Sequence, residues 1–116
     1  MDAIEKRTRI LLMNIGVPAH LSGYEFLVEA VRMSYENKDL LNSVTKTLYP
    51  KIGEKFGKTK FCVERNMRHA IEKISSINPD CIKKLCVVIP EYNKETFTVS
   101  HFIAVCVEIL RLEELD

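Results

Sequence analysis

Lys60, Glu64, Arg65, Arg68 and Glu72 recur at intervals of three to four residues, so a helix through this segment carries all five on one face. A face that mixes guanidinium and carboxylate groups is suited to reading base edges. Arg65 and Arg68 match guanine O6/N7 or phosphate oxygens, and Glu64 can accept a hydrogen bond from cytosine N4. Lys58, Thr59, Lys60, Phe61 and Cys62 stand at the start of the same helix, where the lysines lie near the phosphate backbone, and His69 follows Arg68 within reach of phosphate. These nine residues other than Glu72 form the candidate DNA-binding set. Lys/Glu/Arg at i, i+4 also describes an ordinary solvated helix face with stabilising ion pairs, and a lone histidine beside a buried stripe is often a packing residue. The choice depends on what precedes the helix.

Elsewhere the chemistry is sparse. His20 and His101 have no carboxylate, serine or cysteine at a suggestive spacing, and no glycine-rich phosphate loop is present, so nothing assembles a nucleophile, a base and an oxyanion site. An enzyme is not expected. Cys81 and Cys86 are separated by four residues with no second Cys/His pair at finger-like spacing, so neither a metal nor another cofactor is expected. All four cysteines (Cys62, Cys81, Cys86, Cys106) sit in apolar helical patterns in a chain without a secretion signal and are read as reduced thiols.

The elements that must position the candidate face can be traced from caps and stripes. Tyr49 to Phe56 reads as a short helix with Pro50 in its first turn, ended by Gly57, which can take the positive φ of a tight turn. Thr59 then caps a longer helix from Lys60 to about Ser75, buried along Val63, Met67, Ala70 or Ile71, and Ile74. Two helices joined by a three-residue, glycine-led turn make a helix-turn-helix, centred on Ile52 to Ile74. Upstream, a first helix is expected over Ala3 to Ile15 with Ile4, Ile10, Leu11 and Ile15 inward and Gly16 as its left-handed cap. A second should run from an N-cap at Ser22 to about Tyr35 along Tyr24, Leu27, Val28, Val31 and Tyr35. Leu40, Leu41, Val44 and Leu48 suggest a short third. Downstream, a short helix is expected around Asp80 to Val87, then an irregular segment, then a last helix capped by Thr98 or Ser100 and reaching about Glu114. The last helix is apolar over more than one stripe, through Phe102, Ile103, Val105, Cys106, Ile109, Leu110 and Leu112, which points to a partner. Phe102, Val105, Ile109 and Leu112 are the candidate interface.

No segment alternates with period two, so the expected fold is all-α, a compact bundle of about six helices in a single domain over residues 1–116. Hydrophobic residues make up 47% and charged residues 28%, the balance of an ordinary globular chain. No apolar run approaches the roughly 20 residues of a membrane span and the start is charged, which makes the cytoplasm the expected location, with no membrane partner. Net charge is only +1. That average conceals a basic centre, with seven basic and three acidic residues from Lys51 to Lys73, and an acidic end, with one basic and four acidic residues from Glu108 to Asp116. Such a chain can present one face to phosphate and hold its acidic end away.

Four ordered blocks give the chain a resemblance to a known family: Ile15-Gly16-Val17-Pro18-Ala19-His20 with Gly23-Tyr24; Leu40-Leu41 with Ser43-Val44-Thr45-Lys46 and Leu48-Tyr49-Pro50; Val63-Glu64-Arg65 with Arg68-His69-Ala70-Ile71-Glu72; and Phe102-Ile103-Ala104 with Leu110-Arg111-Leu112-Glu113. Over about Arg9 to Glu113 the chain resembles the C-terminal DNA-binding effector domain of the sporulation master response regulator of endospore-forming Firmicutes. The resemblance implies a six-helix fold, a nucleoid-associated transcription regulator and binding of double-stranded DNA at TGNCGAA-like boxes. It also implies self-association head to tail on tandem sites, partly through the last helix, and contact with the RNA polymerase sigma subunit. Glu64 and Arg65 match base-contacting positions of that family.

The departures from the family are specific. The family has Ser-Arg before Val63, with the arginine reading a guanine, where this chain has Phe61-Cys62. One base contact is therefore expected to be missing, and Phe61 offers a thymine methyl a surface instead. Cys81 to Tyr92 differs from the family's sigma-contact region, and with no receiver domain expected in these residues the sequence reads either as a piece of a two-domain regulator or as a stand-alone paralogue of the effector domain. The alternative function is a diverged interaction module that pairs with a related full-length regulator and binds DNA weakly.

Overall fold

The structure, a computed structural model, describes residues 1–77, 80 and 98–114. Helix α1 covers Ala3–Ile15. It begins because the Asp2 carboxylate accepts the Glu5 N–H at 2.7 Å and ends at Gly16, whose φ of 108° lets the Val17 N–H turn back to the Leu12 carbonyl at 2.9 Å. The expected inward face holds at Ile15, with Ile4 and Leu11 half-buried, and is corrected at Ile10. Thr8, Leu12 and Ile15 are buried, whereas Ile10 is half exposed. A threonine holds the first of these positions by donating its hydroxyl to the Ile4 carbonyl at 2.7 Å, so the buried stripe passes through a polar residue that a purely apolar pattern omits.

Helix α2, Ser22–Glu36, is the centre of the molecule. Ser22 is its first helical residue and not its cap; the cap is Leu21, which makes no side-chain bond and accepts the Tyr24 N–H through its carbonyl. Tyr24, Leu27, Val28 and Val31 are buried as expected, and Phe26, Ala30 and Ser34 are buried with them. The burial is broad because helices on several sides pack on this one. The expected single short helix after it is two turns: a 3₁₀ turn, Lys38–Asn42, and a π-type turn, Val44–Leu48, in which the Leu48 N–H reaches back to the Ser43 carbonyl. Ser43 breaks the helix between them, with its hydroxyl paired to Thr47.

The remaining described helices are α3, Tyr49–Phe56, α4, Lys60–Ile77, and α5, Val99–Glu114. Thr98 caps the last of these, its hydroxyl accepting the His101 N–H at 3.3 Å. The fold is all-α, with five helices and no strand among the described residues. The helix expected around Asp80 to Val87 lies outside the described residues apart from Asp80, as do Cys81, Cys86 and the irregular segment. Val63, Met67, Ala70 and Ile74 of α4 meet Leu12 of α1, Leu27 and Val31 of α2 and Phe102, Ile103 and Leu110 of α5 in one core cluster.

Two arginines tie the last helix to α1 and to α2. Arg7 donates to the Leu110 carbonyl at 2.6 Å and pairs with Glu113 and Glu114, and Arg111 donates to the Tyr35 carbonyl at 2.6 Å while lying over the Tyr35 ring. Glu113 and Glu114 of the acidic end are thus paired to α1 through Arg7.

Candidate nucleic-acid interface

Four chain-local features build the connection between α3 and α4. Gly57 has φ 68°, a left-handed conformation that glycine adopts without penalty. The Lys58 N–H then closes the turn on the Gly53 carbonyl at 2.8 Å. Gly53 must also be small, since a Cβ there would lie 2.3 Å from the Lys58 carbonyl oxygen. Thr59 caps α4 through its hydroxyl, which accepts the Cys62 N–H at 3.1 Å. The turn Gly57-Lys58-Thr59 and both flanking helices fall where the sequence places them, two helices joined by a three-residue, glycine-led turn.

α2 holds the unit in place. Glu29, nearly buried on α2, pairs with Arg32 of its own helix and with Lys55 of α3 at 2.8 Å. Burial pushes the Glu29 carboxyl up, but the hydrogen bonds and charges of Arg32 and Lys55 outweigh that and leave it below its ordinary value. The Phe26 and Phe56 rings meet edge to face, 5.2 Å between centroids, beside this ion pair. α4 docks on α2 with backbone nearly touching backbone, because Gly23 faces the carbonyl of Asn66. None of these supports belongs to the expected site. A glycine inside a helical pattern is the one signal that marks the last of them in the sequence.

With its inner stripe buried, α4 turns the opposite face to solvent. Arg65 and Arg68 are exposed, Glu64 and Lys60 are partly covered, and His69 and Glu72 are exposed. The Arg68 guanidinium donates to both oxygens of Glu64 at 3.0 and 3.1 Å, the i, i+4 pair of the solvated-face reading. Arg65 is exposed and makes no such pair among the described residues. Glu64 also acts inward. Burial, with the Glu64 charge adding to it, pushes the Tyr49 phenol of α3 up to about 12.

The first turn of α4 separates its two unusual residues. Phe61 is 74% exposed, with the Lys60 ammonium 5.3 Å from its ring centroid. Cys62 is half-buried, and Asn66 holds it by donating to its carbonyl at 2.8 Å and to its Sγ at 3.1 Å. Lys58 and Thr59 are exposed in the turn. All nine residues of the expected DNA-binding set thus lie on the turn or on α4, and Phe61, Glu64, Arg65 and Arg68 fall along a single solvent-facing side.

The expected interface on the last helix is corrected in two places. Phe102 and Val105 are 0% and 1% exposed and have no surface to offer a partner. The excess apolar character of α5 is taken up by this chain's own interior. Ile109 remains half-buried and Leu112 half exposed. Among the described residues no group of three metal-ligating side chains gathers, and no helix is long and apolar enough to cross a membrane.

Residues 8–110 of the 116 match the family described as the sporulation initiation factor Spo0A C terminal. The match spans the helix-turn-helix and all but the last turn of α5.

Proposed function

The chain belongs to the Spo0A C-terminal family, and from that premise we propose that it is a sequence-specific duplex-DNA-binding effector domain that inserts α4 into the major groove to regulate transcription. One observation supports this above the rest. Arg65 and Arg68, Glu64 and Phe61 share the exposed side of a helix whose opposite side is fully in the core, a left-handed glycine turn leads into that helix, and the Glu29–Lys55 ion pair holds the preceding α3 on α2. Arg65 and Arg68 supply donors for guanine or phosphate, Glu64 an acceptor for cytosine N4, and Lys58 and Lys60 charge at the flanking phosphates. Ile109 and Leu112 are the surface left on α5 for a second copy on tandem sites.

The test is titration of the chain onto a duplex carrying a TGNCGAA-type box and onto a scrambled duplex at several salt concentrations. The charge excess between Lys51 and Lys73 corresponds to release of roughly three to five counterions, each adding about −0.9 to the log–log slope. A slope near zero on both duplexes removes the DNA reading and leaves the interaction module that pairs with a related regulator.

A further inference from the structure

We infer that Phe61 is a specificity-determining residue that packs against the 5-methyl group of a thymine in the major groove, so that this chain's best site carries a T·A pair beneath the first turn of α4. The inference rests on the DNA-binding reading above and goes beyond it by naming the base. Apart from the terminal Met1, Phe61 is the most exposed large hydrophobic side chain among the described residues, at 74%. Its exposure is not forced by its neighbours. Cys62, next in sequence, is turned partly inward and held by Asn66, and Val63 is fully buried, so Phe61 stands alone at the outer edge of the helix start.

Position decides what such a ring can meet. Phe61 is the second residue of α4, and in a helix-turn-helix the N-terminal residues of the second helix contact base edges. A phenyl ring has no donor or acceptor, and the one apolar group on the major-groove edge of the base pairs is the thymine C5 methyl. Lys60 fits the same arrangement. Its ammonium lies 5.3 Å from the ring centroid in the free protein, where it partly shields an otherwise unfavourable exposed surface, and Lys58, two positions earlier, is exposed in the turn, so the chain brings two charges to the phosphates near this helix start. Arg65, about one turn further along the same side, reads the adjoining base pairs. The apolar contact therefore fixes the identity of one pair within a site whose other pairs are read by charge and hydrogen bonds.

The experiment separates the methyl from everything else. A best duplex is selected from a random pool with the parent chain, and each thymine in it is replaced in turn by uracil, which removes only the methyl and keeps every hydrogen bond. At one position the parent should lose about fourfold in affinity, the value of one buried methyl-sized group, while the exposed-site variant Phe61→Ala binds the thymine and uracil duplexes equally. Thermal unfolding of Phe61→Ala matching the parent shows that the fold is intact. If no thymine-to-uracil change affects the parent, or if the affected position is equally sensitive in Phe61→Ala, the assignment to Phe61 is overturned while the DNA reading stands. Failure to select any sequence, together with salt-independent binding, overturns both.

Discussion

A Cβ placed on Gly23 would lie 2.1 Å from the carbonyl oxygen of Asn66 and 2.9 Å from the Ala70 Cβ, so α2 and α4 cross with no side chain between their backbones at that point. α4 is therefore registered against the centre of the fold by main-chain contact. Main chain yields less readily than a side chain does.

Gly23→Ala tests this. Alanine is the better helix former by about 1 kcal/mol, which would stabilise α2 if space allowed. Here α4 must move away, and the expected outcome is a net loss of about 1–3 kcal/mol in denaturant unfolding, with weaker specific DNA binding from a displaced recognition helix. An unchanged or raised midpoint would show that the two helices separate freely.

Glu29→Gln keeps the shape of a nearly buried side chain and removes the charge that Arg32 and Lys55 share. The expected loss is about 1–3 kcal/mol at neutral pH. Because the folded-state pKa of Glu29 is lowered, its contribution is complete above the ordinary value of 4.5 and is lost as pH falls through the folded value. Parent and variant should therefore converge in stability in acid, where the parent's carboxyl is protonated. A gap that stays constant from neutral pH to acid would assign the loss to packing and not to charge.

Much of the arrangement of α3, the turn and α4 was legible in the sequence because it is built from local rules. Gly57 ends a helix, Thr59 starts one, and a stripe from Val63 to Ile74 leaves its opposite side to solvent; each depends on residues within a few positions of one another. What was not legible depends on tertiary partners. Thr8 takes a core position because its hydroxyl is satisfied within its own helix, and Leu12 is buried while Ile10 is half exposed. Phe102 and Val105 looked like surplus apolar surface because the helix that carries them is buried on more than one side, and a single stripe does not convey how many neighbours a helix has. The Glu29–Lys55 pair joins residues 26 positions apart that no spacing rule connects.

Arg65→Ala should leave stability within about 0.5 kcal/mol of the parent, since the side chain is exposed and without a partner among the described residues. Binding to the selected duplex should weaken by about 1–3 kcal/mol and discrimination should relax at one base pair. Titration of parent and variant on the selected duplex and on versions altered one pair at a time checks this. Equal affinities for both proteins on every duplex would show that Arg65 is only a solvated charge.

Cys62→Arg examines the position that Asn66 holds in the first turn of α4. The Asn66 amide is bonded to the Cys62 carbonyl as well as to its sulfur, so the backbone tether survives the substitution and the new side chain extends from an unchanged helix start. A guanidinium there can pair with guanine O6/N7, which a thiol cannot, and the expected result is a gain of about 1–3 kcal/mol on a TGNCGAA-type box. Added charge alone would strengthen binding to any duplex, so Cys62→Lys is the control: it carries the same charge without the planar fork, and its gain should be equal on box and scrambled DNA and fade with salt. A gain for arginine that is confined to the box and lost when its guanine is changed places α4 in the groove with the first turn over that pair. Arginine behaving as lysine does would mean that position 62 faces the phosphates, and that the first turn is rotated away from the base edges.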